Sequence, residues 1–79
     1  MIRKFYRYFI YYEFDYADAP VRGLASTFFD SREKLDNNEA LRKLEAATEE
    51  ENNVKNVIIK NIQFIKIIYR KGKIDVNLL

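Results

Sequence analysis

The chain has no cysteine and no histidine, and only two glycines and one proline among its 79 residues. Without cysteine no disulfide can staple the fold, which fits a reducing compartment. With Cys and His both missing, zinc and copper lose their usual ligands. Catalysis loses its commonest general base and its thiol nucleophile. Gly23 and Gly72 lie far apart and cannot build a phosphate-cradling loop. The four hydroxyl side chains, Ser26, Thr27, Ser31 and Thr48, sit in no nucleophile motif. No run approaches the ~20 apolar residues that span a bilayer. The most apolar stretch, Val57 to Tyr69, is cut by Lys60, Asn61, Gln63 and Lys66. The segment Phe5 to Tyr12 is aromatic, is broken by Arg7 and runs into Glu13 and Asp15, so it does not read as a secretory signal. These absences predict a cytoplasmic, non-enzymatic protein with no cofactor, no metal and no membrane segment.

Residues 1–79 form one domain on this reading. A domain so short buries a modest share of its surface and usually needs a staple. With disulfides and the usual metals gone, self-association or a binding partner is left to supply it. Charge is uneven: residues 13–51 hold eleven acids against five bases, while the flanking segments hold nine bases and one acid. Such a split predicts a molecule with two different faces.

Aromatic residues are abundant, with six tyrosines and six phenylalanines. Eight of the twelve lie between Phe5 and Tyr16. Every second residue there gives Tyr6, Tyr8, Ile10, Tyr12, Phe14 and Tyr16. The other side carries Phe5, Arg7, Phe9, Tyr11, Glu13 and Asp15 and is the more exposed one. This is a first strand. Ala17 to Pro20 reads as a turn, and Val21 to Phe29 as a second strand, with Gly23 marking a bulge or a close backbone contact. Asp36 is the expected N-cap of a helix over Asn37–Glu51, with Glu39 completing a capping box. Leu41, Leu44 and Ala47 give that helix a narrow apolar stripe. Acids crowd its last turn, against the helix dipole. Val54 to Tyr69, rich in β-branched residues, is a third strand with a bulge near Asn61. Residues 70–79 add a turn at Lys71-Gly72 and a short fourth strand over Lys73–Asn77, or a loose tail. The fold class is α+β: a three- to four-stranded antiparallel sheet in the order 2-1-3, with a fourth strand if the tail pairs. One helix lies across one face.

One helix leaves the other face uncovered. Tyr8, Ile10, Tyr12 and Phe14 are read as core beneath the helix. Phe9 and Tyr11 point the other way beside Arg7, and exposed aromatics next to arginine are the composition of a binding surface. Base stacking on single-stranded nucleic acid uses the same residue types. A nucleic-acid binder commonly has a pI above about 9; here it is 8.9, offset by an acidic helix. RNA or DNA binding therefore ranks second to a protein interface. The acids Glu45, Glu49 and Glu50 could imitate phosphates toward a basic groove, although a solvated helix face outweighs that reading. Glu13, Asp15 and Asp18, like Glu49 to Glu51, lack metal-ligand spacing. The lysines of the third strand read mainly as edge charges against aggregation.

The run Tyr8-Phe9-Ile10-Tyr11-Tyr12, followed by Arg22-Gly23-Leu24 and later by Asn53-Val54-Lys55-Asn56-Val57-Ile58-Ile59-Lys60-Asn61-Ile62, resembles many short phage and prophage proteins. The ββαβ pattern and small size also resemble anti-CRISPR proteins. That resemblance implies a phage-encoded inhibitor that binds a host defence protein or ribonucleoprotein complex in the host cytoplasm. It carries over no site residue. The candidate contacts are Arg7, Phe9, Tyr11, Glu45, Glu49 and Glu50, with a homodimer as the other association to be tested.

Overall fold

The structure, a computed structural model, describes residues 1–76. Strand β1 spans Ile2–Tyr16, β2 Arg22–Ser31, helix α1 Asn38–Asn52, β3 Val54–Lys71 and β4 Ile74–Val76. The strands form one antiparallel sheet in the order β2-β1-β3-β4. The aromatic strand is thus central, as the expected order 2-1-3 has it, and the short fourth strand is present. Asn77 of the expected fourth strand lies outside the described residues.

Local chemistry sets the connections. Pro20 is the central residue of a tight turn in which the Val21 N–H donates to the Ala19 carbonyl at 2.9 Å. Gly72 takes φ of +63° at the first position of the two-residue β3–β4 turn, a place where glycine fits without strain. Gly23 makes no bulge, since β1 and β2 pair in unbroken register from Asp15↔Arg22 to Tyr6↔Ser31. It is instead a close contact: the Phe14 ring occupies the space a Cβ would need.

The helix starts one residue later than expected. Asn37 is the N-cap, and its Oδ1 accepts the Ala40 N–H at 2.8 Å. Glu39 then falls one position short of the place a capping box requires. Asn53 closes the helix in the left-handed conformation, at φ 51° and ψ 47°, and leads directly into β3. The bulge expected near Asn61 is seen, with register shifts opposite Arg7/Tyr8, Tyr11/Tyr12 and Glu13/Asp15.

The core lies between α1 and one sheet face. It contains Tyr8, Ile10, Tyr12, Phe14, Leu44 and Val57, all buried, with Phe29, Leu35, Ile59 and Ile62 packed around them. The Tyr8 hydroxyl accepts the Leu35 N–H at 2.9 Å, which ties the β2–α1 connector to the sheet. A helix of 15 residues is about 22 Å long, whereas 18 residues of strand extend to about 59 Å. The helix therefore covers less than half of β3. Phe64 and Ile67, paired with Tyr8 and Tyr6 on the helix side, remain exposed beyond it.

Candidate interaction surface

Residues opposite one another in antiparallel strands share a face, so the register defines the uncovered side. Its central rows are Phe28–Phe9–Gln63, Ser26–Tyr11–Asn61 and Leu24–Glu13–Ile58, each read from β2 through β1 to β3. Leu24 and Phe28 are each 61% exposed, Ile58 47% and Tyr11 38%. Phe9 is half-buried because Phe28 stacks edge-on against it, with ring centroids 5.2 Å apart. The middle of the face is thus mainly apolar and aromatic, interspersed with a hydroxyl, two amides and the Glu13 carboxylate.

Charges flank this patch along the strands, and they are paired with one another. At one end Asp30 accepts from Arg7 Nε at 2.8 Å and from Arg7 Nη2 at 3.1 Å. Arg70 reaches across the Phe5 ring to the same carboxylate and also donates from Nε to Asp75 at 2.9 Å. The Arg32 guanidinium lies 5.3 Å from the Phe5 centroid. One ion network, Arg7–Asp30–Arg70–Asp75, therefore uses all four strands. The Arg7 hydrogen bonds, with Arg70 adding to them, hold the Asp30 carboxyl below its usual range against the opposing effect of burial. Bonding to Asp30 raises Arg7, and bonding to Asp75 and then Asp30 raises Arg70. At the opposite end Arg22 donates to Asp15 at 2.8 Å and to Glu13 at 3.4 Å. Asn56 donates to the other Asp15 oxygen at 2.8 Å.

Part of the charge split along the sequence is paired across the sheet. Asp30 and Glu13 come from the acidic middle, and Arg7, Arg70 and Lys60 from the basic flanks; folding brings them together in pairs.

The candidate contacts divide accordingly. Arg7, Phe9 and Tyr11 share the open face, Tyr11 free and Arg7 locked to Asp30. Glu45 and Glu49 lie on the helix and are turned inward. Glu49 Oε2 accepts the Val57 N–H and Glu45 Oε2 accepts the Ile59 N–H, each at 2.9 Å. They satisfy donors on the β3 edge that no strand pairs, which accounts for acids near a helix C-terminus. Glu50 is exposed, but it is on the helix and not on the open face. The structure thus does not assemble these six residues into one site. It adds Leu24, Phe28 and Ile58, which sequence reasoning missed because the side each β2 residue takes depends on the length of the turn before it, and the side Ile58 takes depends on the bulges of β3.

No protein-family description, curated protein or solved structure matches the chain. Among the described residues no helix is long and apolar enough to cross a membrane, and no group of three or more acidic side chains is placed to hold a metal ion.

Proposed function

We propose that the chain is a non-enzymatic binding protein whose open sheet face seats on a protein partner. In the finer reading implied by its resemblance to anti-CRISPR-like phage proteins, it is a stoichiometric inhibitor. It would cover a nucleic-acid-binding or assembly surface of a host defence complex. The observation that carries the proposal is the exposed cluster of Leu24, Phe28, Tyr11 and Ile58 between two sets of self-paired charges. Aromatic and aliphatic anchors within a polar rim are the composition of a protein interface core. The paired arginines support a protein over a nucleic acid, because phosphates would have to compete with carboxylates already in place.

The test uses tagged protein offered to a reconstituted defence complex, together with an interference assay in cells. Wild type is expected to form a stable complex and block interference. Ile58→Glu, which puts a charge into the patch, is expected to lose both, and Glu50→Lys on the helix to keep both. Equal behaviour of the two variants would remove the open face as the contact.

A nucleic-acid module is the second reading. One observation favours it: the amides of Asn61 and Gln63 stand directly opposite Tyr11 and Phe9, so that stacking and hydrogen-bonding groups adjoin. It requires binding of single-stranded oligonucleotides that weakens steeply with salt; no anisotropy change at low salt eliminates it.

A further inference from the structure

The two edges of the sheet are treated in opposite ways. The β3 edge is protected. Its register shifts three times, Lys60 and Lys66 lie along it, Glu45 and Glu49 cap two of its N–H groups, and β4 pairs with its last residues, Tyr69 to Lys71. These are the devices by which sheets avoid pairing with other chains. The middle of the β2 edge has none of them. From Gly23 to Phe29 it contains no charge and no proline, and its register with β1 never shifts. The strand is a ten-residue template in unbroken register.

The direction of its free groups follows from one hydrogen bond. The Tyr16 N–H donates to the Val21 carbonyl at 3.1 Å, so Val21 faces β1. With the register unbroken, Gly23, Ala25, Thr27 and Phe29 also face β1. Arg22, Leu24, Ser26, Phe28 and Asp30 therefore direct their N–H and C=O groups outward.

We propose that this edge pairs with β2 of a second copy, antiparallel, about a two-fold axis through Ser26. In that register Ser26 meets Ser26 of the second copy, Leu24 meets Phe28, and Arg22 meets Asp30. Each pair joins residues with outward-facing backbone groups, giving roughly ten inter-chain hydrogen bonds. The most exposed apolar side chains of β2 cover each other, and its two charged residues meet with opposite sign. Moving the axis to Ala25 sets Phe28 against Arg22, and moving it to Thr27 sets Asp30 against Leu24. The strand is thus self-complementary in one register, which marks a second copy as the occupant. The helix does not obstruct the approach. It packs over β3 and leaves a groove on its β2 side lined by Thr27, Phe29, Leu44 and Ala47. The product is a continuous eight-stranded sheet in which two open faces join along a Leu24/Phe28 seam. The pairing also supplies the stabilisation that so short a chain lacks.

Sedimentation velocity over a range of concentrations is expected to show reversible dimers. Ser26→Pro deletes an outward donor and leaves the β1 ladder intact, so it is expected to give a folded monomer by circular dichroism. Because the chain lacks cysteine, Ser26→Cys reports register independently of that variant. Mild oxidation is expected to link it into a dimer, while Phe28→Cys, held roughly 14 Å from its counterpart, stays unlinked. A monomer at all concentrations, dimers that survive Ser26→Pro, or preferential linkage at position 28 would each overturn the proposal.

Discussion

Gly23→Ala tests the packing beneath the sheet. Gly23 pairs with Phe14, and a Cβ built there would lie 2.3, 2.7 and 2.9 Å from three atoms of the Phe14 ring. To reach ordinary contact the ring must retreat by about 1 Å or more. It has little room, because Tyr12 lies 5.7 Å away and Tyr16 5.1 Å away between centroids, one on each side along the strand. Forcing a methyl into a packed site costs about 1–3 kcal/mol. Replacing glycine offsets about 0.5–1 kcal/mol of this by restricting the unfolded chain. The net expectation is a loss of about 1–2 kcal/mol. For a domain of this size the whole stability is about 4–12 kcal/mol, and such a loss lowers Tm by roughly 4–15 °C. Thermal and urea unfolding of four proteins complete the cycle: wild type, Gly23→Ala, Phe14→Leu and the double variant. With the smaller Leu at position 14 the penalty at position 23 should largely vanish, leaving a coupling of about 1 kcal/mol or more. A stabilising Gly23→Ala in the wild-type background, or the same cost in both backgrounds, would refute the steric account.

Other outcomes follow from the charge network and the caps. Asp30 has a lowered folded pKa, so the stability it contributes is present above the unfolded carboxylate value of about 3.9 and disappears as pH falls through the folded value. Urea midpoints measured from pH 7 to pH 2 should accordingly drop further in wild type than in Asp30→Asn. Glu49→Ala leaves the Val57 N–H without its partner at the half-buried β3 edge and should cost about 1–3 kcal/mol in chemical denaturation. The same variant should aggregate faster on mild heating, since it uncaps an edge. Asn53→Gly relieves a left-handed residue at the helix end and should raise Tm slightly, by a few tenths to about 1 kcal/mol of stability.

Much of the fold was legible in the residues because the first strand is unambiguous. Tyr8, Ile10, Tyr12 and Phe14 alternate without interruption, and placing that strand between β2 and β3 keeps neighbouring pairs antiparallel. The capping residue was misplaced by one because Asp36 and Asn37 are both good N-caps, and only the path of the connector, anchored by Leu35 to Tyr8, chooses between them. On the candidate surface Phe9 and Tyr11 were readable by parity with Arg7. Leu24, Phe28 and Ile58 were not, because they join that face through registers that the turn and the bulges determine. Glu45 and Glu49 looked like free helix acids since nothing local reveals that a strand edge lies beside them. Likewise Asp30 and Arg70 are 40 residues apart, and their meeting across Phe5 depends on β1 lying between β2 and β3.

The ion network constrains how this surface can recognise anything. A charge already held by an internal partner contributes little new attraction to an incoming one. Recognition by the open face must then come from displacing water from Leu24, Phe28, Tyr11 and Ile58 and from shape, with the charges setting register and excluding mismatched surfaces. Affinity for the true partner should therefore change little between low and physiological salt, whereas a phosphate-led contact weakens by orders of magnitude over the same range. The charge rows also explain why the aromatic side can stay in water without a second helix. Arg70 and Arg32 lie over Phe5, and Phe28 covers part of Phe9, so that only the centre of the face is left dry-seeking. A partner has to cover only that centre, because a copy joined edge to edge along β2 covers Leu24 and Phe28 and leaves Tyr11 and Ile58 open.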